Sequence, residues 1–239
     1  KLHELNSKLL LSLFKKIDNY CLKIIDEVVV NSEELKLYLP RERNVNENKI
    51  SVIYHFSNAT ASQKPEKISN HIIYTGNLGK PQNIQSFIEK LNKSTLPFKL
   101  TIYGSGSEYE NILTFRSKFI EVNPYTIRSQ IIDETKEVPF ALVSLSSEIT
   151  VEGFPGKTFD YLKMNKILIG YSNPNSGLAK FIEKYNVGIN IDPNIQNFDE
   201  DLKKLDNKES LENFYKNIEN VNNNIANIKV VAQSYSNLI

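Results

Sequence analysis

At 239 residues, with 40% hydrophobic and 24% charged side chains, the chain can bury one large core or two smaller ones and has the composition of a globular protein. Its 29 Lys and Arg against 28 Asp and Glu leave a net charge of +1, so no charge excess marks it as a nucleic-acid binder. A lone Cys21 excludes an internal disulfide framework and a multi-thiolate metal centre, and the three scattered histidines (His3, His55, His71) are in no ligand spacing.

In chain order, Leu5, Leu9, Leu13, Ile17, Leu22 and Ile25 recur at helical spacing and predict an amphipathic helix over 4–24. EVVV (27–30) reads as a short buried strand. Ser32 followed by Glu33 and Glu34 has the form of an N-cap with first-turn acids, opening a helix that Pro40 is expected to end. A polar connector (41–49) leads to a second strand, ISVIY (50–54), and 57–69 has neither periodicity nor apolar content, as expected of a linker.

From residue 71 the pattern is regular. Strands are predicted at 71–76, 98–104, 117–122, 139–145, 166–171 and 187–191, with helices at 81–92, 107–116, 127–136, 157–164 and 175–185. Short Ile- and Val-rich strands separated by helices argue for an α/β fold, a Rossmann-like parallel sheet with helices on both faces. The tail from 198 to 236 is helical and polar, with a weak apolar stripe. The expected organisation is thus a first unit over 1–56, a linker over 57–69, a Rossmann-like domain over 70–195 and a helical segment over 196–239.

In an open parallel sheet, ligands sit beyond the carboxyl ends of the strands. Three loops there carry candidate chemistry. TGNLGKPQN (75–83) offers Gly76 and Gly79 for close backbone approach and Lys80 beside a helix start, an arrangement that suits an anion but also fits a plain glycine turn with Pro81 in the first helical turn. YGSGSEY (103–109) has Gly-x-Gly but Tyr109 where a dinucleotide fingerprint needs glycine, so a tight turn explains it better. VEGFPGKTFDYL (151–162) ends like an ATP-binding loop, yet GxxxxGK[ST] needs glycine at 151 and the chain has Val151. Gly156, Lys157 and Thr158 still open a helix whose lysine could hold a diphosphate, with Glu152 and Asp160 on either side to accept from sugar hydroxyls. Taken alone, a solvated lysine at a helix start is as good a reading.

Three stretches together resemble the GT-B glycosyltransferases, in particular the family-4-like retaining enzymes of bacterial surface glycans. IIYTGNLGKPQNIQSFIEKL (72–91) is similar to the first strand, glycine loop and helix of their donor-binding domain, and TIYGSGSE (101–108) to the next strand and turn. PGKTFDYLKMNKILIGYSNPNSGLAKFIEKYNVGINI (155–191) is similar to their Pro-x-Lys block.

The resemblance implies a nucleoside-diphosphate sugar (UDP- or GDP-linked) as donor, a glycan or lipid-linked acceptor, no cofactor, no metal and no nucleic acid. It implies that Gly76, Asn77, Gly79, Lys80, Gly156, Lys157 and Thr158 surround the diphosphate, that Glu152 contacts the donor sugar and that Asp160 contacts the ribose. The base is expected near Asn123–Tyr125, with Tyr125 as its contact. Two positions depart from the family: Asp160 stands for a longer Glu, and Asn77 for an Arg, leaving the phosphate charge to Lys80 and Lys157.

Residues 1–56 resemble only the end of the family's acceptor domain, and the only methionine is Met164, so the chain is expected to be the donor-binding portion of a longer transferase. Its catalytic polar group is expected outside these residues, and the 239 residues alone are expected to bind donor weakly without turnover. The lone Cys21 fits a reducing, cytoplasmic setting, residues 1–30 lack a signal peptide's ordered regions, and peripheral membrane association is open to the full-length protein where its acceptor is lipid-linked. Two alternatives remain: a sugar-nucleotide 2-epimerase of the same fold, and a non-catalytic scaffold subunit.

Overall fold

The computed structural model describes residues 8–151 and 154–238. The first unit runs α1 (Lys8–Ile24), β1 (Val28–Val30), α2 (Glu33–Arg43) and β2 (Ile50–Val52). Strands β1 and β2 pair in parallel, Val28 opposite Ile50, over a small core of Val30, Val45 and Ile50. Ser32 caps α2 as its sequence suggests, its Oγ accepting from the Leu35 N–H at 3.1 Å.

Pro40 does not end α2. The helix runs three residues further, to Arg43. Proline removes one N–H but leaves the later residues free to continue, and the stop comes from Asn44 in the left-handed region (φ 52°), whose N–H returns to the Leu39 carbonyl.

The second unit holds β3 (His71–Asn77), α3 (Ile84–Lys93), β4 (Lys99–Ser105), α4 (Tyr109–Leu113), β5 (Ile120–Pro124), α5 (Arg128–Thr135), β6 (Phe140–Ser144), α6 (Lys157–Lys163), β7 (Ile167–Tyr171), α7 (Gly177–Tyr185) and β8 (Gly188–Ile191). The six strands form one all-parallel sheet in the order β5-β4-β3-β6-β7-β8. This is the α/β Rossmann-like sheet the alternating pattern implied.

Two boundaries moved for identifiable reasons. The helix expected from 81 opens instead as a 3-10 turn, Lys80–Gln82, and Asn83 at φ 49° breaks it before α3 begins. The strand expected from 117 starts at Ile120, because Ser117 folds into a turn in which its Oγ accepts from the N–H groups of Phe119 and Ile120.

The winding decides where a ligand can sit. From β3 the chain moves outward through β4 to β5, then returns to the other side of β3 at β6. The loops leaving β3 and β6 therefore diverge, and a crevice opens at their carboxyl ends.

Two further features frame that crevice. Tyr54, following β2, sits among the rings of Phe154, Phe159, Phe181 and Tyr185, with centroids 5.3–6.2 Å away, and so fastens the first unit to α6 and α7. The segment 57–69 has no regular structure but is pinned along its length. Ser57 donates to Asp160, Ser62 to the Met164 carbonyl, and Lys64 lies over the Tyr215 ring.

The tail comprises α8 (Phe198–Lys203), α9 (Lys208–Asn224) and α10 (Ile228–Ser236). The weak stripe of α9 (Leu211, Phe214, Tyr215, Ile218 and Val221) is buried in the same core as the sheet, against α6 and β7. Ile218 is fully buried. Ile218→Ala is expected to cost about 2–5 kcal/mol in urea unfolding and Lys216→Ala less than about 0.5 kcal/mol. Equal effects would mean that α9 is not part of the core.

Candidate functional site

The crevice is built outward from the end of β3. Gly76 has a φ of 125°, which L side chains avoid, and a Cβ there would meet the Lys157 ammonium at 3.0 Å. The backbone conformation is what requires glycine, since the flexible end of Lys157 could shift the little that a Cβ would ask. Gly104, opposite it on β4, has its own reason: a Cβ would lie 2.4 Å from the Gly76 carbonyl. Gly106, at a φ of 148°, is alike: a Cβ there would lie 2.4 Å from the Leu78 carbonyl, so the Gly-x-Gly of 103–109 lets adjoining backbones come close, where the sequence suggested only a tight turn.

Lys157, the first residue of α6, places Nζ 4.0 Å from the centroid of the Tyr74 ring. Tyr74 is fully buried, and its hydroxyl donates to the Asn77 carbonyl at 2.6 Å. Two forces act on this ammonium. The ring face favours the charged form and burial opposes it; burial wins, bringing the pKa down from 10.5 to about 8. No carboxylate neutralises Lys157 among the described residues. It is a partly dehydrated cation beside the bare backbone of Gly76, well suited to an anionic ligand.

Beside Gly76 lies a recess of about 240 Å³, whose walls include Thr75, Tyr103, Tyr125, Arg128, Asp160 and Tyr161. Tyr161, fully enclosed, accepts the Thr75 N–H at 2.7 Å and so ties α6 to the end of β3. Asp160 pairs with Arg128, the first residue of α5, and accepts from Ser57 Oγ at 2.5 Å. Tyr125 is 68% exposed at the mouth.

The predicted residues divide accordingly. Gly76, Asp160 and Tyr125 line one recess, with Lys157 against Gly76 at its edge. Gly79 and Lys80 line a separate recess of about 290 Å³ with Asn83 and Glu108, so Lys80 does not share the pocket of Asp160. Several backbone amides of the 75–83 loop are already used. Leu78 donates to the Ser105 carbonyl at 2.8 Å, and Gly79 donates to Gln82 Oε1, which also takes the Asn77 side-chain amide. Asn77 thus braces its own loop.

Gly156 is exposed with open space around it, so nothing steric demands a glycine there. Thr158 is fully buried, and its hydroxyl has no hydrogen-bond partner among the described residues. Glu152, with Gly153, lies outside the described residues. Sequence reasoning missed Arg128, Tyr74 and Ser57. Arg128 carried one usable signal, a cation at the first residue of the helix after the predicted base loop; the other two carried none.

No protein-family model matches the sequence, and no curated protein matches it. Solved structures do. Anabaena HepE in complex with UDP and glucose superposes with a TM-score of 0.73 over 93% of this chain and 65% of its own, at 11% identity. The lipopolysaccharide outer core galactosyltransferase WaaB matches with a TM-score of 0.70 over 91% and 62%, at 17% identity. S. aureus TarM, in complex with UDP and other ligands, matches with a TM-score of 0.69 over 93% and 46%, at 17% identity.

This is the fold of part of a GT-B glycosyltransferase. The chain spans about half to two thirds of the length of these GT-B structures. Among the described residues no group of three His, Cys, Asp or Glu side chains is placed to hold a metal, and no helix is long and apolar enough to cross a membrane.

One property of the site is measurable without any ligand. Lys157 is expected to titrate near pH 8 in a lysine side-chain NMR titration, while solvent lysines titrate near 10.5. A Lys157 midpoint among the solvent lysines would mean that it does not sit in the crevice.

Proposed function

We propose that this chain is the donor-binding portion of a retaining glycosyltransferase, taking a nucleoside-diphosphate sugar and serving transfer to a glycan or lipid-linked acceptor in surface-glycan synthesis. One observation carries the reading above all. A partly dehydrated Lys157, with no carboxylate partner among the described residues, lies against the bare backbone of Gly76 at the point where strand order reverses, next to a recess holding a carboxylate. That is where an open parallel sheet binds nucleotides, and the chemistry there fits a diphosphate joined to a hydroxyl-rich group. The likeness to structures solved with UDP, UDP and glucose, or UDP-glucose supports the same assignment.

In this reading Lys157 binds the diphosphate, the loop at Gly76 lets the phosphates approach the backbone, and Asp160 accepts from the ribose. The base packs at Tyr125, and Glu152 contacts the donor sugar. When the anomeric bond breaks, negative charge grows on the departing diphosphate. A preorganised cation in a poorly hydrated site stabilises that charge most, because it needs no reorganisation as the charge develops. Lys80 and Asn77 have at most a supporting part, since their loop is braced internally and Lys80 lines the neighbouring recess.

Calorimetry with UDP and GDP tests the assignment. One of them is expected to bind, and Lys157→Ala to weaken it by on the order of 10–100-fold, the worth of a charged hydrogen bond of about 1.5–3 kcal/mol. Binding of neither would favour a non-catalytic scaffold of the same fold.

The pH dependence has a definite sign. A diphosphate prefers the protonated lysine, so affinity is highest below pH 8 and falls as pH rises through about 8. The ligand's terminal phosphate, with a pKa of about 6, is already ionised there and does not cause the change. Lys157→Arg keeps its charge, and its affinity is expected to stay flat from about pH 7 to about 8.5, below the range in which the uracil or guanine of the ligand ionises. A wild-type affinity that did not fall over this range would remove Lys157 from the diphosphate site.

A further inference from the structure

We propose that Arg128 is the positioning residue for Asp160, filling one carboxylate oxygen so that the other is held open for a ligand's cis-diol. This rests on the nucleotide-sugar reading above and names a residue that reading does not contain.

The geometry is asymmetric. Both protein donors to Asp160, Arg128 Nη2 and Ser57 Oγ, bond to the same oxygen, Oδ1. Oδ2 has no partner among the described residues, although a carboxylate has room for about four hydrogen bonds. The two anchors come from separate parts of the chain, Ser57 from the segment before the sheet and Arg128 from the start of α5. Ser57 is itself oriented: its oxygen accepts the Ala59 N–H at 2.9 Å, which directs its proton to Asp160. Arg128 Nη2 also lies 3.4 Å from Ser57 Oγ, closing the three groups into one cluster.

A purely structural ion pair would be expected to look different. Guanidinium and carboxylate favour a two-pronged pairing that uses both oxygens, and here one oxygen takes every bond. The side chains are 48% and 37% exposed, so the pair adds little to stability. What it does add is direction. An aspartate has two side-chain torsions, and tying Oδ1 from two sides fixes both. Its free oxygen then belongs to a residue lining the recess beside Gly76, which Arg128 also lines. The arrangement answers the sequence-level difficulty of a short acid at this position. Asp160 cannot search for a hydroxyl as a longer side chain could, so its aim is set in advance.

The experiment compares whichever of UDP and GDP binds with its 2′,3′-dideoxy analogue, by calorimetry on the 239-residue chain. The wild type is expected to favour the ribonucleotide by about tenfold or more, the range of a hydrogen bond to a charged group. In Asp160→Ala the ratio is expected to fall to about 1.

In Arg128→Gln the ratio is also expected to fall to about 1. The loss there falls on the ribonucleotide, and the dideoxy analogue binds as it does to the wild type. Combining the two substitutions is expected to lower the ratio no further. Arg128→Lys, with one N–H able to reach Oδ1, is expected to recover part of the ratio. Should Arg128→Gln fail to fold, Arg128→Met is read in the same way.

If Arg128→Gln weakens both nucleotides alike and keeps the wild-type ratio, Arg128 is a general electrostatic contact and the proposal falls. It falls also if the wild type binds the nucleotide without preferring the ribose. Absence of nucleotide binding in the wild type overturns the donor reading itself, and this proposal with it.

Discussion

The reversal of winding at β3 is the constraint on which the rest of this molecule depends. A parallel sheet must return each strand through a crossover, and a chain that first builds outward to β5 must cross back to place β6 beside β3. Loops that would otherwise cover the strand ends are thereby sent in opposite directions. The crevice is a product of topology, and β3 lies under its centre. Residues at that strand's end consequently carry unusual demands. Gly76 needs a left-handed φ, and Gly104 must let the adjoining strand's backbone come close.

Electrostatics at the crevice reflect a balance between burial and partners. Lys157 surrenders much of its hydration and is given an aromatic face in return, and no carboxylate pairs with it among the described residues. Asp160, a few residues along the same helix, has the opposite arrangement: a cation and a hydroxyl meet it on one side. The two groups thus offer a ligand complementary chemistry, an ammonium for negative charge and a carboxylate oxygen for hydroxyl donors. Lys166 shows that a buried lysine need not be a ligand site. It is fully enclosed but donates to the carbonyls of Thr135 and Lys136, so its hydrogen bonds end at the close of α5.

The first unit and the connecting segment are bound to this site more closely than their sequences suggest. Tyr54 enters an aromatic cluster that includes Phe154, a residue of the loop between β6 and α6. Asn31 reaches the carbonyl of the same Phe154 at 3.5 Å, and Ser57 reaches Asp160. Any rotation of the first unit about residues 53–57 would be felt at Phe154, just before α6, and at Asp160 within it. A segment that reads as a bare linker, polar and aperiodic, is held by side-chain and backbone hydrogen bonds that composition does not reveal.

The sequence by itself determined the alternation of strands and helices, and with it the parallel sheet, because short Ile- and Val-rich runs between amphipathic segments have few other ways to bury themselves. It also determined that 151–158 is no ATP loop, since Val151 stands where a glycine is needed. It marked Gly76, Lys157 and Asp160, whose residue types are informative wherever a strand ends and a helix begins.

Tertiary structure decided which of these meet. Lys80 and Lys157 look equivalent in sequence, but the 3-10 turn and Gln82 turn the first into a neighbouring recess. Thr158 looks like a phosphate contact and is buried instead, because the same helix that presents Lys157 must pack its next residue inward. Arg128 and Ser57 converge on Asp160 from 32 and 103 residues away, a distance over which local sequence has no power to specify contact. Periodicity and residue type act over a few neighbours and were legible; the convergence of distant side chains on one carboxylate depends on how the crossovers pack, and only the folded chain settles that.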